Sequence, residues 1–321
     1  MSRPPRVTQA DVARYAGVSG AVVSYVVHAG PRSVSPETAA KVRDAIRVLG
    51  YQPNASAAAL RTGSSKLLGL VLPEFDNSLW ADLAVAVGRC ASARGFALIT
   101  ASSGGDAALE RDQILRLAGR QVEGLLVTSV EMTDPDVHGA AGIPTVFLNV
   151  FSDVPGATTI GVDARRGAID GVEHLLSHGY DSVGLIIGPD ADVREQGWRE
   201  ALEFRSMPVE RCAFDRQGGY EAALRMFGSP GRPRSVFVSS DMQAVGCLRA
   251  LWELGLRVPQ DVAIVSFDGS VDSQFTAPPL TAVRQPIERM AQVAVDLVLD
   301  GPGPRRVVEP VRLVVRESCG C

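Results

Sequence analysis

No disulfide framework can be drawn through this 321-residue chain: its five cysteines, Cys90, Cys212, Cys247, Cys319 and Cys321, are odd in number and scattered. That pattern suits a reducing compartment. No apolar run follows the opening "MSRPPRV", which excludes a secretory signal there, and no stretch approaches the length of a membrane span. A cytoplasmic protein with no membrane partner is expected. Catalytic constellations are missing as well. There is no Ser/His/Asp arrangement, no Gly-rich phosphate loop after a strand and no metal-ligand cluster, so the expectation is not an enzyme and no cofactor. His174 and His178 lie four apart without a third ligand nearby in sequence, and the terminal Cys-Gly-Cys lacks partner ligands. These features predict no metal and a frayed tail. No leucine heptads follow "LVVRESCGC", which speaks against tetramers built through such a tail.

What is present is ordinary globular material, 46% hydrophobic and 21% charged, long enough for two or three domains. The net charge of −4 hides an asymmetry. Residues 1–66 carry Arg3, Arg6, Arg14, Arg32, Lys41, Arg43, Arg47, Arg61 and Lys66 against Asp11, Glu37 and Asp44, a net of +6, leaving −10 on the rest. A basic head on an acidic body lets the head alone approach phosphates.

The head is punctuated by helix signals. In "VTQADVARYAGVSGAVVSYVVHAG", Thr8 caps a first helix, with Val7 and Val12 placed as a staple, Gly17 turns the chain, and Ser19 caps a second helix striped by Val22, Val23, Val26 and Val27. In "SPETAAKVRDAIRVLG", Ser35 caps, Pro36 takes the first helical position, and Ala39, Val42, Ile46 and Leu49 form an apolar face before Gly50. Then "PNASAAALRTG" reads as a helix capped by Asn54 and too short to persist alone in water.

From Lys66 short apolar strands alternate with amphipathic helices. The strands are "LLGLVLP", "FALITAS", "GLLVTS", "TVFLNV", "VGLIIGP", "SVFVSS" and "AIVSFD"; the helices are expected near 79–94, 107–118, 164–178, 195–206, 219–227, 241–255 and 286–299. Runs apolar on both faces, separated by helices, predict parallel sheets covered on both sides, and there are too many units for one. Polar residues just past strand ends, where such sheets bind ligands, are Glu74 to Asn77, Thr128, Ser129, Asn149, Arg194, Ser240, Asp241 and Asp268. Asp241 is equally well placed to cap the helix that follows it.

The opening stretch, "PNASAAALRTGSSKLLGLVLPEFDN", "SSDMQAVGCLRALWELGLRVPQDVAIVSFD", "PPLTAVRQP" and "LVVRES" together resemble the lactose-repressor (LacI/GalR) family of bacterial transcriptional regulators, in family order over almost the whole chain. The resemblance implies an all-α helix-turn-helix head with a hinge helix, followed by an α/β core of two doubly wound parallel-sheet subdomains like those of periplasmic binding proteins. It places the head at 1–52, the hinge helix and linker at 53–65 and the core at 66–321, with one subdomain from about 66–160 plus 286–321 and the other from about 161–285. It also implies a homodimeric repressor that binds palindromic operator DNA and answers to a small, sugar-like effector. The runner-up reading is a solute-binding protein without a transcriptional role.

Carried onto this sequence, the family's DNA-contacting positions are Thr8, Ser19, Gly20, Ala21, Ser24, Tyr25 and His28 in the head, and Asn54, Ala57 and Leu60 in the hinge, where Leu60 matches a leucine that wedges into the central base step. Val22, Tyr25 and His28 depart from the commoner threonine, arginine and asparagine, so the operator sequence cannot be copied from relatives, and Tyr25 is expected to contact a base by its hydroxyl or ring. The matching effector positions are Asn77, Trp80, Asn149, Asp163, Arg194, Ser240, Asp241, Asp268 and Gln285, with Trp80 as the flat aromatic. Ser240 stands where many members have asparagine, and the segment before Arg194 is about four residues shorter than is usual in the family.

Overall fold

The computed structural model describes residues 7–28, 33–52, 59, 63–128, 142–152, 154–301 and 303–321. Asn54, Ala57, Leu60 and Ser129 lie outside the described residues. The chain divides into two compact units, residues 1–65 and 66–321.

The first unit contains α1 (Gln9–Ala16), α2 (Gly20–His28) and α3 (Pro36–Leu49). Each start has its own chemistry. Thr8 and Asp11 form a reciprocal capping box: Thr8 Oγ1 accepts the Asp11 N–H at 3.3 Å while the Asp11 carboxylate accepts the Thr8 N–H at 2.9 Å. Ser35 accepts the Thr38 N–H at 3.3 Å ahead of Pro36, whose missing N–H costs nothing at that position. Val12, Val23, Val42 and Ala45 are fully buried, and Val22, Val26, Val27, Ile46 and Leu49 close around them.

The second unit is built on strands β1 (Leu67–Leu72), β2 (Ala97–Ser102), β3 (Gly124–Val127), β4 (Thr145–Leu148), β5 (Thr158–Val162), β6 (Val183–Ile187), β7 (Val209–Arg211), β8 (Ser235–Val238), β9 (Ala263–Asp268), β10 (Thr281–Arg284), β11 (Arg305–Glu309) and β12 (Arg312–Val314). The helices between them are α4 (Ser78–Ala93), α5 (Ala107–Ala118), α6 (Ala164–Ser177), α7 (Val193–Ala201), α8 (Arg216–Phe227), α9 (Asp241–Glu253) and α10 (Ile287–Asp300). Two six-stranded sheets result, ordered β11-β5-β4-β3-β1-β2 and β12-β10-β9-β8-β6-β7. The β12–β10 pair alone is antiparallel among these ladders. Central strands such as β6, β8 and β9 are buried at every residue, as a sheet covered on both faces requires.

All seven sequence-read strands are present. Five more, β5, β7, β10, β11 and β12, escaped because they are short or carry polar residues. The chain crosses between lobes after β5, returns after β10, and crosses again between Glu309 and Arg312. Residues beyond Glu309 therefore belong with the second sheet, not with the first as the 286–321 expectation had it. The Ser318 hydroxyl accepts the Thr281 N–H at 2.8 Å and donates to the Ile264 carbonyl at 2.7 Å, so the last segment satisfies backbone groups that burial would otherwise orphan. The expected frayed tail is likewise corrected: Ser318 and Cys319 are fully buried. The helix expected over 195–206 runs from Val193 to Ala201, because the Asp192 carboxylate accepts the Arg194 N–H and starts it early, while Glu203 and Phe204 turn to positive φ beyond its end.

Candidate functional site

In the head, α2 presents two faces. Val23 is fully buried and Val22, Val26 and Val27 pack beside it, which turns the stripe Gly20, Ala21, Ser24 and Tyr25 away from the mini-core. Gly20 and Ala21 are exposed at the helix start; Ser24 and Tyr25 are half-buried; His28 ends the helix. The Ser19 hydroxyl accepts the Val22 N–H at 3.4 Å, and Gln9 Nε2 donates to the Gly20 carbonyl at 2.7 Å, fixing the corner between α1 and α2. Thr8 and Ser19 thus stand at helix N-termini, where N–H groups and the helix dipole favour phosphate oxygens.

In the core, a second polar cluster forms at the carboxyl ends of β8 and β9. Asp268, the last residue of β9, is almost fully buried and holds φ +106°, a conformation side chains rarely adopt and that costs about 1–3 kcal/mol. Gln285 Nε2 donates to its Oδ1 at 2.9 Å. Asp241 begins α9, but the N-cap there is Ser240, whose Oγ accepts the Gln243 N–H at 3.2 Å. The capping role read for Asp241 thus belongs to its neighbour. The Asp241 carboxylate instead accepts hydrogen bonds from the Ser266 hydroxyl at 2.6 Å and from the Ser270 N–H and hydroxyl, both at 2.7 Å. Burial pushes both carboxyls above the usual aspartate range; the Asp241 charge adds to the push on Asp268, whereas hydrogen bonds from Ser266 and Ser270 pull Asp241 part of the way back.

Arg194, near the start of α7, is buried beside them. Its guanidinium forks onto Asp192, donates through Nη1 to the Ser239 carbonyl at 2.6 Å, and lies 5.1–5.3 Å from the ring centres of Phe151, Phe214 and Phe267. Burial acts to raise the Asp192 carboxyl, but the Arg194 charge and hydrogen bonds hold it below the usual value. Three aromatic rings around one guanidinium make a dry cationic wall.

The remaining sequence-read positions divide. Asn149 takes φ +60°, and its Oδ1, together with Gln285 Oε1, is buried without a hydrogen-bond partner among the described residues. Asn77 is buried and caps α4, accepting the Leu79 N–H at 3.0 Å. Trp80 is half-buried against the hydrophobic core. Asp163 is exposed where the chain first changes lobe, its carboxylate accepting the Arg166 N–H at 2.9 Å. The lobes touch directly: the Ser78 hydroxyl donates to Ser270 Oγ at 3.1 Å, the Val271 N–H to Asp82 at 3.2 Å, and Arg216 to the Asp76 carbonyl at 3.1 Å. Sequence reasoning missed Phe151, Phe214, Asp192, Ser266 and Ser270. A phenylalanine two residues past Asn149 was a usable signal; Phe214 follows the unread strand β7 and gave none.

Comparison with known proteins agrees with both regions. Residues 8–54 match the description "Bacterial regulatory proteins, lacI family", and residues 172–319 match a periplasmic binding protein-like domain. The HTH-type transcriptional repressor PurR of Proteus mirabilis is 33% identical over 304 residues, covering 90% of this chain and 89% of the relative. The chain belongs to the LacI family of bacterial regulatory proteins. Among LacI-family relatives, the ribose operon repressor of Escherichia coli strain K12 is 29% identical over 315 residues and 94% of each chain. The Lac repressor dimer bound to operator and the anti-inducer ONPF superposes with a TM-score of 0.86 at 28% identity, covering 98% of this chain and 99% of that one. The regulator CelR in complex with cellobiose matches with a TM-score of 0.71 at 31% identity, over 98% and 100% of the two chains. This LacI-family architecture, helical head and two-sheet core, is therefore shared along the whole length.

Proposed function

We propose that this protein acts in the cytoplasm as a homodimeric, operator-specific repressor, switched by a small hydroxyl-rich effector held between the two lobes of its core. The observation that carries the reading is the split face of α2: its valines are committed to the mini-core, which leaves Gly20, Ala21, Ser24 and Tyr25 to face the major groove while Thr8 and Ser19 hold phosphates. The Lac repressor dimer bound to its operator supports the same use of the head. By the family resemblance, Asn54, Ala57 and Leu60 are assigned to the hinge segment that meets the minor groove, with Ala57 small enough for the segments of two subunits to pair and Leu60 of each wedging into the central step, an unstacking cost of about a few kcal/mol offset by the extra surface that bent DNA contacts.

The effector pocket is lined by Asn77, Trp80, Asn149, Asp163, Arg194, Ser240, Asp241, Asp268 and Gln285. The two orphaned acceptors, Asn149 Oδ1 and Gln285 Oε1, call for hydroxyl or N–H donors, and raised carboxyls beside a guanidinium suit a polyol better than a second anion. CelR bound to cellobiose supports this class. A nearly complete switch needs about 10⁴-fold preference of the effector for one of two lobe arrangements. The test is the salt dependence of DNA binding by the full-length protein. With several phosphates neutralised, affinity falls about 10³-fold or more between 50 and 200 mM salt; a flat response would remove the head as a DNA reader.

A further inference from the structure

The sequence offers two histidines on one helix and, some 145 residues later, two cysteines around a glycine. Folding brings all four together. His174 lies in the last turn of α6 and His178 caps it, so the four-residue spacing sets both rings on one side of the helix end, their centroids 4.8 Å apart. The tail reaches them because Ser318 is pinned to β9 and β10 and because Gly320 holds φ +101°, a turn that carries Cys321 back toward the helix. The four donor atoms fall within 4.8 Å of one another. His174 Nε2 is 3.3 Å from Cys319 Sγ and 3.7 Å from Cys321 Sγ, and His178 Nε2 is 3.2 Å from Cys321 Sγ.

Four ligands at about 2.0–2.3 Å from a tetrahedral centre stand about 3.3–3.8 Å from each other. The three sulfur–nitrogen separations of 3.2, 3.3 and 3.7 Å match that spacing, and the remaining pairs, all within 4.8 Å, need to close by about 1 Å at most around an ion. We propose that His174, His178, Cys319 and Cys321 form a zinc-type site, a Cys₂His₂ clamp that fastens the carboxyl end of the chain to α6. The sequence reading expected no metal because two of these side chains are distant in the chain from the other two.

The surroundings fit a cation held by thiolates. The Thr281 hydroxyl donates to Cys319 Sγ at 3.0 Å, supporting a sulfur that carries negative charge. The C-terminal end of α6 carries the negative end of the helix dipole, which favours positive charge. Binding replaces one proton on each thiol, giving a neutral centre of one divalent ion and two thiolates. Cys319 is buried while His178 and Cys321 are exposed, so the site is anchored on one side and open to metal entry on the other.

The test uses full-length protein kept reduced, stripped with a chelator and titrated with Co(II), then with Zn(II). We expect one Co(II) per chain, with the intense ligand-field and thiolate charge-transfer bands of a tetrahedral centre, displaced by Zn(II). Cys321→Ser and His178→Gln, both at exposed positions, each weaken binding by more than the roughly 10–100-fold that loss of an outer-shell partner costs, whereas Cys90→Ser leaves it unchanged. Zn(II) also raises the melting temperature of the wild type and not of the variants. Absence of a saturable spectrum, or an unchanged spectrum in Cys321→Ser, would overturn the site and leave only thiol–imidazole hydrogen bonds.

Discussion

The head and the core solve opposite problems with the same chain. In the head, the interior is a handful of small aliphatic side chains, and the polar stripe of α2 is left over once Val12, Val23, Val42 and Ala45 are inside. In the core, the polar residues are themselves interior: Asp241, Asp268, Arg194 and Gln285 are all buried and held by hydrogen bonds between segments distant in the chain. A surface reader needs only a stable helix behind it. A buried cluster needs a large fold to carry the cost of burying charge.

The sharpest way to break this contrast is Val23→Asp. An unpaired carboxylate in so small an interior costs about 3–5 kcal/mol, as much as a single core of this size supplies. Calorimetry should lose the head transition while the core melts as before, and DNA binding should vanish. A simultaneous fall in the core transition would mean the two units are not thermodynamically separate.

Asp268→Asn probes the other side. Because the folded state resists ionising Asp241 and Asp268 while the unfolded chain ionises them freely, this pair contributes stability that is fully present below the ordinary aspartate value and is lost as pH rises above it. The substitution should remove about 1–3 kcal/mol of that decline, seen as a flatter plot of melting temperature against pH. An unchanged slope would show that the pair ionises as readily folded as unfolded.

The smallest effect belongs to Thr8→Ala, which deletes the cap of α1 and should cost the head about 1 kcal/mol with no change in the core. A loss of DNA affinity well beyond that figure would mark the hydroxyl as a phosphate contact in its own right.

How far each region could be read from sequence follows from the same contrast. Caps and glycine stops are local, so Thr8, Ser35, Pro36 and Gly50 announce the head helices directly. Strand ends are local too, which is why Asp268, Asn149 and Ser240 stood out. The Asp192 fork on Arg194, the phenylalanine rings around it and the Ser266 and Ser270 bonds to Asp241 are tertiary, formed by segments that periodicity cannot pair. The third lobe crossing was hidden for a related reason. Strands β11 and β12 lie side by side in sequence yet enter different sheets, and their mixed composition gives no sign of the change.

The most direct measurement is selection of bound sequences from random duplexes by the full-length protein, repeated with Tyr25→Ala. The account predicts an enriched inverted repeat for the wild type and relaxed base choice at one symmetry-related pair of positions for the variant. Failure to enrich any inverted repeat, or an identical repeat from both proteins, would contradict it.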